Sequence, residues 1–152
     1  MKKVCAVILC MLVMVGLTSC AGSAPSYYGK WSVSEKLTDA PMGDYSDDDL
    51  PIIKNAILSF SKESASCFGD QMSSLSETVS NPDYKTQNMS KEDFESMMGE
   101  TFDAVGRKGD SITQITVINS PDSNTGIVFY IVDKDVLLAN SVGTFFLLKR
   151  QA

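Results

Sequence analysis

Polar and apolar positions alternate with different periods along the chain, and each change of period marks an element. Val4 to Gly16 is almost wholly apolar and follows the short basic start Met1-Lys2-Lys3. From Lys30 the period is two, with Trp31, Val33 and Leu37 on one face and Lys30, Ser32, Ser34 and Lys36 on the other. Only Glu35 breaks that alternation, which predicts a half-buried first strand. A turn through Ala40-Pro41-Met42-Gly43-Asp44 leads to Asp47-Asp48-Asp49 ahead of Leu50-Pro51-Ile52-Ile53. Acids before an apolar pair, with proline in the first turn, predict a short helix near residues 46 to 54. Ala56 to Ser61 and Ala65 to Phe68 read as two short strands around Lys62-Glu63-Ser64, Asn81-Pro82-Asp83 as a turn, and Tyr84 to Gln87 as a further strand.

The clearest helix start follows. Ser90 stands as N-cap, Asp93 three residues later, and Met89 and Phe94 occupy the staple positions. Phe94, Met98, Phe102 and Val105 then recur at helical spacing up to Gly106, a C-cap glycine, while Gly99 predicts a break in the middle. The remainder is the most β-like part: Ile112 to Ile118, Gly126 to Val132, Val136 to Ala139 and Thr144 to Lys149, separated by short polar gaps that make antiparallel hairpins. Ile127-Val128-Phe129-Tyr130-Ile131-Val132 is apolar on both faces, so this strand must be covered on two sides. The prediction is a mostly β fold of about eight antiparallel strands with two short helices inserted.

The first segment changes how the composition reads. A basic start, about 13 apolar residues and the small-residue stretch Leu17-Thr18-Ser19-Cys20 form the layout of a secretory signal peptide. The apolar run is shorter than the roughly 20 residues needed to span a bilayer. Without residues 1–19, Lys2 and Lys3 are gone, so 11 of the 13 basic side chains remain against all 19 acidic ones, and the formal charge moves from −6 to −8. A body this acidic repels phosphate backbones, which argues against nucleic-acid binding. Ala21 to Ser26 has the composition of a flexible tether, and residues 27–152 have the length of one domain.

The chemistry is bounded mainly by what the composition lacks. The chain has no histidine, which removes Ser-His-Asp and Cys-His arrangements and a histidine base near neutral pH. Cys5 and Cys10 lie in the signal, so beyond Cys20 only Cys67 remains; it reads as a buried, inert thiol, and no cofactor or metal is expected. Asp44, Asp47, Asp48 and Asp49 lack a calcium-loop pattern and are better explained as carboxylates at a helix start. The pairs Glu92 with Asp93 and Asp133 with Asp135 read as helix-start and turn residues rather than as a catalytic pair, so the expectation is a protein that is not an enzyme.

Leu17-Thr18-Ser19-Cys20 resembles the bacterial lipobox, which implies cleavage after Ser19 and an acylated Cys20 of the diacylglycerol or palmitate type. The alternative is an ordinary signal peptide with a cysteine at that place by chance. Two or more acyl chains anchor stably, each buried CH₂ contributing about 0.8 kcal/mol. Gly29-Lys30-Trp31 opening the first strand and Phe145-Phe146-Leu147-Leu148-Lys149-Arg150 closing the last resemble the lipocalin-like barrels. The resemblance covers those two ends and implies that Arg150 packs over Trp31 as a structural plug. The chain as a whole also looks like small lipocalin-like lipoproteins of anaerobic bacteria.

An eight-stranded barrel is just wide enough to hold one small ligand or to be filled by its own side chains. Two functional expectations follow. One is a lipid-anchored protein on the extracytoplasmic face of the cell membrane or outer membrane that binds a small apolar ligand. The other is a surface interaction protein with a filled barrel that binds another envelope macromolecule.

Overall fold

The computed structural model describes residues 24–39, 48, 50–67, 77–118, 127–141 and 143–152. The expected signal peptide, the turn at residues 40–44, Phe68 and the gap at 120–124 lie outside them. Among the described residues there are nine strands: β1 (Gly29–Asp39), β2 (Ile57–Phe60), β3 (Ser64–Cys67), β4 (Glu77–Ser80), β5 (Asp83–Ser90), β6 (Ser111–Ile118), β7 (Ile127–Asp133), β8 (Val136–Ser141) and β9 (Thr144–Arg150). The helices α1 (Leu50–Lys54) and α2 (Lys91–Met98) interrupt them.

All nine strands form one antiparallel sheet in the order β4-β3-β2-β1-β9-β8-β7-β6-β5. The first strand pairs with the last, so the meander curls back on itself in a lipocalin-like manner. The two ends of that order, β4 and β5, are an even number of antiparallel steps apart and therefore run in the same direction. Only Asn81 and Pro82 separate them. They act as one strand bent in the middle, whose first half pairs with β3 and whose second half pairs with β6. The nine assigned strands thus have the topology of an eight-stranded meander. Asn81 takes the bend at φ 49°, a left-handed conformation that asparagine tolerates better than most residues, and Pro82 has no N–H for the ladder. The Asn81 N–H donates to the Glu63 carbonyl at 2.8 Å, fixing the bend to the β2–β3 turn.

The sheet carries a core on each face. On the inner face Trp31, Leu58, Phe60, Ala65, Val79, Ile115, Val117, Phe129, Leu137, Phe146 and Leu148 pack together, and Phe60 stacks on Phe129 with centroids 4.4 Å apart. Ile53 of α1 belongs to the same core, so this helix inserts a side chain into the interior. On the outer face Tyr130, Val132, Leu138 and Phe145 lie under Phe94, Phe102 and Val105. The two-faced apolar run Ile127–Val132 is therefore covered on both sides: Phe129 faces inward and Tyr130 outward.

Local sequence explains the outer cover. Ser90 Oγ accepts the Asp93 N–H at 3.1 Å, and Met89 and Phe94 share the outer core as a staple. The helix ends at Gly99, φ 71°, where the glycine N–H donates to the Glu95 carbonyl. After the break the Glu95 carboxylate accepts the Phe102 N–H at 2.9 Å, and a short turn ends at Gly106, φ 72°. The helical spacing of Phe94, Met98, Phe102 and Val105 thus belongs to a helix and a separate turn facing one core.

Two expectations change. β4 was not foreseen, because Val79 is the one apolar residue in Glu-Thr-Val-Ser, and it lies between the exposed Thr78 and Ser80. Leu37 does not share a face with Trp31 and Val33. The β1–β9 register shifts between Val33 and Glu35 and again between Lys36 and Thr38, and Leu37 packs against the outer core. Each bulge adds a residue and resets which face the following side chains take.

Phe94 is fully buried whereas Met97, three residues on, is 66% exposed. Phe94→Ala should lower unfolding free energy by about 3–5 kcal/mol and Met97→Ala by less than about 0.5 kcal/mol, read from urea midpoints. Equal effects would contradict the packing of α2 on its Phe94 face.

Candidate functional site

The residues singled out in sequence meet where β1 begins and β9 ends. Trp31 opposes Arg150 across the ladder, and the guanidinium carbon lies 4.2 Å from the indole centroid. Trp31 has no exposed surface, and its indole N–H donates to the Tyr27 carbonyl at 3.0 Å. The Arg150 N–H groups are spread over the surrounding chain. Nε donates to Asp135 Oδ1 at 2.9 Å, Nη1 to the Tyr28 carbonyl at 2.7 Å, and Nη2 to the Ser26 and Lys134 carbonyls. A planar fork with five N–H donors can do this; a lysine ammonium cannot stack and bridge at once.

The glycine of Gly29-Lys30-Trp31 has a specific cause. Gly29 sits at φ 134°, and a Cβ there would come within 2.6 Å of Arg150 Nη1. The Gly-x-Trp pattern and the terminal arginine are therefore two halves of one packing unit: the absent side chain makes room for the guanidinium that covers the tryptophan.

Next to this unit lies an aromatic group that sequence reading did not assemble. Tyr27 packs edge-on against Tyr28 and Phe129, and Tyr84 lies 5.3 Å from Tyr27 and 5.5 Å from Tyr28. The Tyr84 hydroxyl donates to the Ser61 carbonyl at 2.8 Å, tying β5 to the β2–β3 turn. Burial pushes the Tyr84 hydroxyl well above the ordinary tyrosine range, with the neighbouring Tyr28 adding to it, and burial raises Tyr27 likewise. On the outer face burial pushes Tyr130 up to about 12, and its hydroxyl lies 3.5 Å from Met98 Sδ. Asp135 was also not linked to Arg150 in advance. The β8–β9 hairpin, which pairs Val136 with Lys149, was the available signal.

The other predicted residues are dispersed. Cys20, Asp44, Asp47 and Asp49 lie outside the described residues, and Asp48 is exposed. Cys67 is buried in the inner core. Asp93 serves the Ser90 cap, and Asp133 Oδ1 accepts the Lys134 N–H at 2.7 Å, so neither acidic pair converges on a common point. Among the described residues no three His, Cys, Asp or Glu side chains cluster as metal ligands, and no helix is long and apolar enough to cross a membrane.

Accessibility of the inner face grows toward β5. Along one cross-strand row Leu148 and Leu137 are buried, Ile131 and Thr113 half-buried, and Asn88 exposed. The neighbouring row runs from buried Phe146, Ala139, Phe129 and Ile115 to exposed Thr86. Paired residues share a face, so Thr86 and Asn88 place polar side chains at the open margin of an apolar wall. On the outer side, Gln87, Met89, Asp93, Ser96 and Met97 line an open groove of about 400 Å³.

No family model, no curated protein and no solved structure matches the chain.

Folded Tyr130 keeps its proton up to about pH 12, whereas an unfolded tyrosine releases it near 10. Between those values the unfolded chain binds fewer protons, so stability falls as pH rises, by on the order of 2 kcal/mol from this residue. Urea midpoints measured from pH 9 to 12 should decline above pH 10, and the decline should be shallower in Tyr130→Phe. An unchanged slope in that variant would contradict the buried, neutral phenol.

Proposed function

We propose that this chain is a lipoprotein anchored through Cys20 on the extracytoplasmic face of the cell membrane or outer membrane, and that its domain binds a small apolar ligand on the inner face of the curled sheet. The observation that carries the reading is the gradient toward β5. Ile131 and Thr113 are half-buried and Thr86 and Asn88 exposed in two cross-strand rows whose other members, Leu148, Leu137, Phe146, Ala139, Phe129 and Ile115, are buried. A ligand seated there would cover Ile131 with its apolar body and meet the hydroxyls of Thr86 and Thr113 and the amide of Asn88 with a polar end. Such a mix of apolar lining and a few orienting polar groups is usual for small-molecule sites. The acylated cysteine would hold the binding domain at the membrane, where apolar molecules partition.

A second reading has its own support. The Phe60–Phe129 stack joins opposite walls of the curl, and Ile53 of α1 adds to the same interior. On that basis the barrel is filled by its own side chains, and the protein works as a surface interaction protein for another envelope macromolecule.

Native mass spectrometry of the soluble 21–152 chain separates the two. The ligand reading expects a reproducible extra mass that is lost on unfolding. A clean apo mass, repeated after incubation with lipid extract, would overturn it in favour of the filled barrel. In cells, labelled lipid precursor should enter the chain and not its Cys20→Ser variant; label retained by the variant would sink the anchor.

A further inference from the structure

The root of the N-terminal tether is held at one end of the domain. Arg150 Nη1 and Nη2 take the carbonyls of Tyr28 and Ser26, the Tyr28 N–H donates to the Pro25 carbonyl at 3.0 Å, and the Gln151 N–H donates to the Lys30 carbonyl at 2.9 Å. Ser26 lies six residues along the chain from Cys20. Fully extended, that stretch reaches about 20 Å, and as a flexible coil about 13 Å.

That length is shorter than the domain. β1 has 11 residues, about 35 Å along the strand and about 27 Å in height at the tilt of a barrel strand. A tether rooted at the start of β1 cannot pass the far end of β1 and bring that end to the bilayer. The exposed charges agree with this limit. Lys30, Lys134 and Lys149 surround the Arg150 clamp and are all exposed. Of the acids beside Lys134, Asp135 is paired with Arg150 and Asp133 is bonded to the Lys134 N–H, and the β2–β3 turn at the same end adds exposed Lys62 and Glu63, whose charges cancel. Beyond the other end of β1, the sequence from Asp39 to Asp49 carries five aspartates and no lysine or arginine.

From these observations we propose that the Arg150 end of the domain docks on the membrane surface, with Lys30, Lys134 and Lys149 against anionic phospholipid headgroups. This rests on Cys20 being the acylated residue. Basic side chains within a Debye length of an anionic leaflet are attracted to it. The sheet axis then points away from the bilayer, and the end bearing α1 faces the aqueous side.

The orientation can be read with a fluorophore on a single introduced thiol in the acylated full chain, bound to vesicles of mixed zwitterionic and anionic phospholipid that contain headgroup spin-labelled lipid. Cys67 is buried, and the parent chain controls for its labelling. A probe at Lys134→Cys should be quenched several-fold more than one at Asp48→Cys. Equal quenching, or stronger quenching at Asp48→Cys, would overturn the proposal. A chain that carries no acyl group and leaves the vesicles would refute the anchor itself. The same two probes on a chain with a histidine tag in place of residues 1–20, held by nickel-chelating lipid, would then decide the orientation separately.

Discussion

A single side chain, Arg150, ties the end of the sheet to its beginning. β1 must pair with β2 on one edge and with β9 on the other for the meander to curl, and its ladder with β9 includes seven residue pairs. At the end of that ladder the guanidinium covers Trp31, bonds the carbonyls of Ser26 and Tyr28 that lead into β1, and pairs with Asp135 at the β7–β8 turn. The ion pair alone contributes little, since Asp135 is 60% exposed and a surface pair is worth about 0–1 kcal/mol. What matters is that one planar group serves the stacking and the carbonyls together. Removing it would leave the carbonyls of Ser26 and Tyr28 without this partner, at a cost of about 1–3 kcal/mol each where buried. Gly29 is the complement of this arrangement, because any larger residue would occupy the place of the guanidinium.

The rest of the structure depends on that closure. Once β9 is fixed beside β1, β8 and β7 follow by hairpins, and their alternate side chains form one core inside and another outside. The outer core then needs a cover, supplied by α2 and the turn to Gly106. The inner core needs the opposite wall, supplied by β2, β3 and β4. The bent strand β4–β5 links the two halves but pairs with β3 through only its first half and with β6 through only its second, so the inner face remains accessible along β5. The proposed ligand site and the structural weak point of the curl are the same place.

Much of this was legible because it depends on local chemistry. The Ser90 cap with its Met89–Phe94 staple, the break at Gly99, and the hairpins of the last 40 residues follow from positions a few residues apart. The packing of Arg150 over Trp31, which lie far apart in sequence, was expected only through the resemblance of the chain ends to lipocalin-like barrels. What escaped depends on register or on distance in sequence. Glu35 was visible as a fault in the alternation, but not that it marks a bulge that sends Leu37 to the outer core. β4 offers a single apolar side chain, Val79, too little for a period. The Tyr27–Tyr28–Tyr84 group joins residues more than 50 apart, and no spacing rule brings them together.

The central claim is that Trp31 and Arg150 are coupled, not merely adjacent. A double-mutant cycle in urea tests it most directly, using Trp31→Leu to keep an apolar side chain and Arg150→Met to keep length without charge. A coupling energy of about 1 kcal/mol or more is expected, with each single variant losing most of what the double variant loses. Additivity within about 0.3 kcal/mol would contradict the account and leave Arg150 as a surface residue that happens to lie over the ring.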